Sequence, residues 1–139
     1  MANPILRAFA KLNAVVYRMS GGRVMGKMGA SAICVARMQG ARSHTWRDVP
    51  LMYVPNGAGV ILVASLGGAP KNPVWYHNLI AHPDIEVQVK ESTLKLRARL
   101  ATAAEKAAVW PACIAAYPPY ADYQKRTTRD IPVFICDPR

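Results

Sequence analysis

The stretch at 60–79 constrains the fold of this chain more than any other. It begins as an apolar, β-branched run that stops at Ser65, turns at Gly67-Gly68, and resumes in a segment suited to a helix. This order predicts a strand, a loop and a helix start, and the two glycines would let a ligand approach the backbone. Asn72 can cap the helix, and Pro73 fits its first turn. A helix start of this kind favours an anionic or carbonyl-bearing ligand, although an ordinary well-capped connection accounts for the same pattern.

The charge of the chain predicts an anionic partner. The 139 residues carry a formal net charge of +10, while 52% of them are hydrophobic and 19% charged. This balance suits one globular domain with a buried core. A nucleic acid, an acidic membrane surface and a phosphorylated small molecule would all match the charge. No interleaved surface aromatics or reader motif accompany it, so a nucleic-acid partner is not predicted.

The cysteines and histidines show no spacing that would hold a metal ion. Cys34, Cys113 and Cys136 are scattered, which predicts reduced core thiols in a cytoplasmic protein rather than a disulfide frame or a zinc site. The three histidines form no H-x-x-x-H or H-E-x-x-H arrangement. No metal is therefore predicted.

The first thirty residues differ in pattern from the rest of the chain. Apolar residues recur at helical spacing over 4–19 with basic residues on the other faces, which predicts a basic amphipathic helix. This helix would either pack on its own domain or lie on the anionic inner face of the cell membrane. A flexible, glycine-rich connector follows over 21–29. We therefore expect an N-terminal segment at 1–30 and one folded domain at 31–139, present as a monomer or a weak homodimer.

The folded domain is expected to be mainly β. Strands are predicted at 31–38, 45–54, 60–65, 85–90, 94–100 and 131–136, with helices at 73–81 and 102–116. About six antiparallel strands interleaved with short helices predict an α+β, mainly β, fold: a small β-barrel with flanking helices.

Local signals add detail to this barrel. Pro50 predicts an edge position or a bulge for its strand, and Asn56-Gly57 predicts a hairpin. Thr102 and Glu105 are spaced as a capping box, and Pro111 should bend the following helix or end its first half.

Three tyrosines near the end of the chain form a second notable group. Tyr117, Tyr120 and Tyr123 recur every three residues, so they would share one face of a helical turn. Pro118-Pro119 keeps this segment from being a continuous buried helix. Ordinary aromatic packing explains the spacing, and so does a pocket lid whose phenols donate hydrogen bonds.

Three stretches of the sequence resemble one protein family. They read Gly-Ala-Pro-Lys-Asn-Pro-Val-Trp-Tyr-His-Asn-Leu at 68–79, Tyr-Pro-Pro-Tyr-Ala-Asp-Tyr-Gln at 117–124 and Arg-Asp-Ile-Pro-Val-Phe-Ile-Cys-Asp-Pro at 129–138. The chain, from about residue 31 to 138, resembles the deazaflavin-dependent nitroreductase family, split-β-barrel oxidoreductases that use reduced coenzyme F-420. The resemblance implies hydride transfer to an electron-poor acceptor such as a quinone, an activated alkene or a nitroaromatic compound. A non-catalytic deazaflavin carrier is the alternative.

The resemblance implies a place for each part of the coenzyme. Its phosphate is implied to lie on the basic turn at Ala41, Arg42 and Ser43, with Arg47 as a second cation. The residues implied to line the deazaflavin ring are Asp48, Val49, Pro50, Leu51, Met52, Val63, Ala64, Ser65, Leu66, Val74, Trp75, Tyr76, His77 and Asn78.

An acceptor site beside the ring is implied as well. Tyr120 matches a tyrosine over both the coenzyme and the acceptor, while Tyr117 and Tyr123 match the neighbouring wall. Met52 and Ser65 complete the implied substrate-binding set. Ser65, Tyr120 and Tyr123 are the candidate catalytic residues, because their hydroxyls would orient the acceptor or relay the proton that accompanies the hydride.

The chain departs from the family pattern at three places. Its turn reads Gly-Ala-Arg-Ser-His where the family usually has Gly-Arg-Lys-Thr-Gly, which loses one cation and one glycine. Met52 stands where the nitroreductase proper has an aromatic residue, and Leu66 where it has a lysine. The chemistry still agrees with the bulk properties, because a phosphate and a polyglutamate tail match the net charge. A cofactor that supplies the hydride also explains why no acid–base dyad is visible.

Overall fold

The computed structural model describes residues 27–28 and 31–139, so the predicted amphipathic helix at 4–19 lies outside the described residues. The strands are β1 Lys27–Met28, β2 Ser31–Gln39, β3 Trp46–Met52, β4 Val54–Asn56, β5 Gly59–Val63, β6 Asp84–Val89, β7 Ser92–Leu100 and β8 Val133–Pro138. The helices are α1 Val74–Ala81, α2 Ala103–Ala116 and α3 Pro119–Arg126, and one 3-10 turn spans Leu66–Gly68.

The strands form one antiparallel sheet that curls into a half-barrel. The order is β1-β2-β6-β7-β8-β5-β4, and β3 pairs with β2. The predicted mainly-β α+β fold with flanking helices is therefore confirmed. The described residues contain eight strands rather than about six. One reason is that the strand predicted at 45–54 divides near Tyr53: β3 pairs with β2, whereas β4 pairs with β5. Another is that part of the predicted connector, Lys27–Met28, pairs with β2.

The local signals in the sequence mostly hold. Among the described strands β3 pairs only with β2, so Pro50 lies on an edge as predicted. The hairpin is confirmed, since Asn56 pairs with Gly59. The Thr102–Glu105 capping box is also confirmed: the Thr102 hydroxyl accepts from the Glu105 N–H at 3.2 Å, and Glu105 Oε1 accepts from the Thr102 N–H at 3.0 Å. Helix α2 continues through Pro111 to its last residue, so this proline does not end it.

Two hydrophobic clusters lie on opposite sides of β5. The barrel core contains Cys34, Ala36, Met38, Val60, Leu62, Ala64, Leu79, Ile85, Val87, Leu96, Ala98, Phe134 and Cys136. The helix-side core contains Val54, Ile61, Val63, Cys113, Tyr120, Ile131 and Val133. Successive residues of β5 alternate between the two clusters, as the pleat of a strand requires. All three cysteines are buried and free, as predicted.

Two expectations for the 60–79 stretch are wrong. Asn72 does not cap α1, because Pro73 is the N-cap residue and the Asn72 side chain accepts a hydrogen bond from Arg129. Gly68 is not left open for a ligand, since a Cβ there would lie 2.7 Å from the Tyr123 carbonyl oxygen. The chain's own helix α3 makes the close approach that the glycine permits.

No helix in the described part of the chain is long and apolar enough to cross a membrane.

Candidate active site

The basic turn between β2 and β3 is a compact, hydrogen-bonded loop. The Gly40 N–H donates to the Thr45 carbonyl at 2.9 Å, and the His44 N–H donates to the Gly40 carbonyl at 3.0 Å. Ser43 Oγ accepts from the Thr45 N–H at 3.2 Å. A Cβ at Gly40 would collide with Ser43 Oγ, so this glycine makes the room that the tight turn needs. Arg42 and Ser43 are exposed at its tip.

The turn and the start of β3 carry two arginines, Arg42 and Arg47, that no described carboxylate neutralises. Neither Arg42 nor Arg47 forms an ion pair within residues 27–28 and 31–139. Other arginines and Lys106 do so: the pairs are Arg37–Asp48, Arg97–Asp84, Arg99–Glu105, Arg99–Asp137 and Lys106–Asp130. The hydrogen bond from Arg97 lowers the pKa of Asp84, as expected for a carboxylate in such a pair. The turn therefore fits a ligand that brings its own negative charge, such as the coenzyme phosphate.

Asn78 fastens the turn to helix α1. Its side chain is only 6% exposed, and its Oδ1 accepts from the Ala41 N–H at 2.9 Å. The amide nitrogen donates to Met38 Sδ at 3.6 Å. The rings of His44 and His82, 4.5 Å apart, form a second contact between the turn and the end of α1. Two segments predicted to bind the coenzyme are thus held together by a buried amide.

Helix α1 packs against the barrel through its aromatic residues. The Trp75 and Tyr76 rings lie 5.9 and 5.7 Å from that of Phe134, which is buried in the barrel core. Val74 and His77, which were also predicted to bind the coenzyme, are exposed. The packing of α1 therefore fixes the position of the two exposed side chains.

The predicted ring-lining strand residues do not share one surface. Val49, Leu51 and Ala64 belong to or pack on the barrel core, whereas Met52 and Val63 belong to or pack on the helix-side core. Asp48 and Pro50 lie on β3 opposite Arg37 and Val35. Because strand side chains alternate, one ligand face meets only every second side chain of 48–52.

Arg129 holds the loop that follows β5, and it is the main residue that the sequence did not single out. Its guanidinium donates to the carbonyls of Ala64 (3.1 Å), Ser65 (2.9 Å) and Ala69 (3.1 and 3.0 Å). It also donates to Asn72 Oδ1 at 2.7 Å. These five hydrogen bonds use all five N–H groups of the side chain. Burial lowers the pKa of Arg129, yet an arginine stays protonated in proteins.

The three tyrosines form a packed cluster where α2 meets α3: Tyr117 is the C-cap residue of α2, and Tyr120 and Tyr123 lie on α3. Tyr120 is 3% exposed, and its ring lies 5.0 Å from Tyr117 and 6.3 Å from both Trp110 and Tyr123. The hydroxyls of Tyr117 and Tyr123 lie 3.1 Å apart. Burial raises the pKa of Tyr120, and the hydrogen bond with Tyr123 raises that of Tyr117, so both phenols remain protonated at neutral pH. Tyr120 belongs to the helix-side core, and Met52, Tyr117 and Tyr123 pack on it, so this core gathers all the predicted acceptor-site residues except Ser65.

A cavity of about 230 Å³ lies beside the helix-side core and is lined in part by Asn72, Tyr76, Lys106 and Arg129. Tyr76 is the only predicted site residue in its lining. The other predicted site residues therefore do not line this cavity.

The curled antiparallel half-barrel is the fold expected of the split-β-barrel oxidoreductases that the sequence resembles. The comparisons with known proteins agree. Residues 9–138 match the family described as F420H(2)-dependent quinone reductase. The chain is 33% identical over 129 residues to the F420H(2)-dependent quinone reductase Rv1261c of Mycobacterium tuberculosis, covering 90% of this chain and 87% of that protein.

Two solved structures are similar to the chain over most of its length. One is an F420-H2 dependent reductase, FDR-A, with 42% identity and a TM-score of 0.71 over 76% of this chain and 93% of that one. The other is a domain-swapped dimer with 34% identity and a TM-score of 0.75 over 97% of this chain and 100% of that one.

The chain therefore belongs to the F420H(2)-dependent quinone reductase family. Its activity is quinone reduction with reduced coenzyme F-420 as the hydride donor. The predictions of the family, the coenzyme and a reductase are confirmed, and the alternative of a non-catalytic carrier is set aside.

Proposed function

We propose that the basic turn binds the phosphate of reduced F-420 and that the loop after β5 faces the reacting ring. Arg42 and Arg47 would hold the phosphate as charge-assisted donors, and Ser43 would add its hydroxyl. The observation that carries this proposal is a pair of arginines without a described carboxylate partner, one on the turn that Asn78 fixes to α1 and one at the start of β3. Residues at the exposed start of α1, Val74 and His77 among them, would lie alongside the ring.

The protein's own contribution is binding, orientation and supply of a proton. When bound, reduced F-420 supplies the hydride, and the quinone also takes up one proton to become the hydroquinone. The Tyr117–Tyr123 hydroxyl pair can hold that proton, because the two hydroxyl oxygens lie 3.1 Å apart and share a hydrogen bond. Ser65, which lies in the loop after β5 and is 9% exposed, offers a further hydroxyl. Tyr120 would form the wall behind them.

The experiment that tests the proposal is an acceptor panel with purified protein and reduced F-420 under anaerobic conditions. We expect a short-chain quinone to oxidise the coenzyme. The rise in absorbance of the oxidised coenzyme measures the reaction. An activated alkene and a nitroaromatic compound serve as the other acceptors. Coenzyme binding without oxidation by any quinone would contradict the proposal.

Replacing Arg42 or Arg47 with alanine is expected to weaken coenzyme binding by about 1.5–3 kcal/mol, the usual value of a hydrogen bond to a charged group. Turnover at saturating coenzyme should change little, because a phosphate contact is equal in the ground and transition states. Isothermal titration gives the affinity. The control is Arg97→Ala, which removes an exposed arginine paired with Asp84 and should leave affinity unchanged. Lower turnover with unchanged affinity would refute the assignment.

Replacing Tyr120 with phenylalanine is expected to keep the fold and the coenzyme affinity within about 1 kcal/mol, the net value of one hydrogen bond. Quinone reduction should fall more than the affinity, and unequally among acceptors, because the Tyr120 phenol is proposed to lie beside the acceptor. Tyr117→Phe and Tyr123→Phe should be non-additive with each other, because either change breaks the same hydroxyl pair. If all three variants turn over every acceptor at the wild-type rate, the cluster serves packing alone.

We also propose that the full chain is a monomer or weak homodimer and that residues 4–19 contact an anionic membrane from the cytoplasmic side. One relative is a domain-swapped dimer, which supports a test of self-association by sedimentation over a range of concentrations.

Co-sedimentation of the full chain with phosphatidylglycerol vesicles tests membrane contact, with neutral vesicles as the control. We further propose that residues 31–139 form the folded domain, to which Lys27–Met28 of the preceding segment add the short strand β1.

A further inference from the structure

The guanidinium of Arg129 controls the direction of two peptide groups. The guanidinium has no N–H group left to donate to a ligand, because all five are used within the chain. Two of its partners are consecutive carbonyls, those of Ala64 and Ser65. The described peptide bonds contain no cis form. In a planar trans peptide the N–H points opposite to the C=O. The N–H groups of Ser65 and Leu66 therefore point away from Arg129.

These two N–H groups have no acceptor in the described part of the chain. The backbone bonds of this loop run from the Gly68 and Ala69 N–H groups to the carbonyls of Ser65 and Leu66, at 2.9 and 3.1 Å. Ser65 has φ −77° and ψ −39°, and Leu66 has φ +45°. A right-handed residue followed by a left-handed one turns consecutive N–H groups toward one concavity, which suits an oxygen that carries negative charge.

The left-handed conformation of Leu66 is costly for a residue with a Cβ. This conformation persists because the surrounding structure stabilises it, and here Arg129 does so through hydrogen bonds to the neighbouring carbonyls. Its bonds to Ala64, Ser65 and Ala69 lie on both sides of Leu66. The contact with Asn72 extends this hold to the start of α1.

We propose that Arg129 is a positioning residue that aims the Ser65 and Leu66 N–H groups at a carbonyl or oxyanion oxygen in the active site. Such donors stabilise an oxygen on which negative charge develops. This inference rests on the proposed function. Two ligands carry that chemistry: the deazaflavin ring, through a ring carbonyl, and the quinone, through the oxygen that becomes anionic as hydride arrives.

The first test compares Arg129→Lys with Arg97→Lys in the full chain. Lysine keeps the charge at 129 but cannot reproduce five donors in a fixed fork. We expect the Arg129→Lys protein to bind the coenzyme or reduce a quinone at least about tenfold less well per folded molecule, since loss of one such donor often costs a hundredfold or more. Arg97→Lys, at an exposed ion pair, should match the wild type in both assays.

The second test removes one N–H directly. Ser65→Ala and Ser65→Pro both lose the hydroxyl, but only proline loses the N–H, and φ −77° lies within the range of proline. A higher dissociation constant for Ser65→Pro than for Ser65→Ala assigns the oxygen to the coenzyme. An unchanged dissociation constant with a lower turnover number or a higher KM for quinone assigns it to the quinone. In ¹H–¹⁵N spectra, the Ser65 and Leu66 amide signals should move when that ligand is added to the wild type and move less in Arg129→Lys.

The outcomes separate this inference from the proposed function. A wild-type protein that reduces no quinone refutes the proposed function and the inference with it. If the wild type is active and Arg129→Lys behaves like Arg97→Lys, the inference alone is overturned. Equal affinity, turnover and KM in Ser65→Pro and Ser65→Ala would overturn it too.

Discussion

Replacing Phe134 with alanine is expected to lower the free energy of unfolding by about 3–5 kcal/mol, the usual cost of truncating a buried aromatic residue. Phe134 is 1% exposed and contacts the rings of both Trp75 and Tyr76. The truncation would leave a cavity beneath α1, the helix predicted to lie along the coenzyme ring. Urea denaturation followed by circular dichroism measures the loss. Coenzyme affinity of the folded fraction should fall as well, because α1 loses the aromatic ring against which Trp75 and Tyr76 pack.

Phe134→Leu is the control for this prediction. Leucine fills much of the volume, so we expect a clearly smaller loss of stability and a coenzyme affinity close to that of the wild type. Equal losses for the two variants would contradict a packing role, since they would show that the aromatic character rather than the filled volume is what the site requires.

Replacing Gly68 with alanine is expected to lower the free energy of unfolding by about 2–5 kcal/mol. The left-handed backbone at φ +81° costs a residue with a Cβ about 1–2 kcal/mol. Overpacking adds roughly 1–3 kcal/mol, because the new Cβ would lie 2.7 Å from the Tyr123 carbonyl oxygen and 3.0 Å from its Cα. Helix α3 must move to relieve the contact, so quinone turnover by the folded protein should fall with stability. Thermal and urea unfolding measure the first effect, and the acceptor assay measures the second.

Gly67→Ala is the matched control. Gly67 has φ +64°, and a Cβ there would meet nothing within 4 Å. It should therefore show only the backbone cost of about 1–2 kcal/mol and keep its turnover. If Gly68→Ala costs no more stability than Gly67→Ala, α3 does not rely on the close approach at Gly68.

The features that the sequence predicted well are those set by neighbouring residues. The alternation of Ile85 and Val87 with polar residues defined β6, and Thr102 with Glu105 defined the start of α2. The Asn56-Gly57 pair defined a hairpin. Each depends on backbone geometry within a few residues, so the composition of a short window carries the information.

The features that the sequence missed join distant parts of the chain. Arg129 binds groups that lie 57 to 65 residues earlier, and Asn78 binds an N–H that lies 37 residues earlier. Asn72 was assigned a local capping role, but tertiary structure gives its side chain to Arg129 instead. Side-chain hydrogen bonds of this kind leave no periodic pattern. The family resemblance named segments of the site, but the pleat of β3 and β5 decides which of their side chains share a face.

We expect reduced F-420, held on the basic turn, to be the hydride donor for quinone reduction by this chain. The most direct test measures anaerobic quinone turnover against coenzyme concentration for the wild type and for the Arg42→Ala/Arg47→Ala double variant. We expect turnover by both proteins, with the KM for coenzyme raised at least about tenfold in the variant and kcat changed by less than about twofold, because phosphate contacts act on binding alone. An unchanged KM in the double variant, or no turnover by a wild-type protein that binds the coenzyme, would contradict it.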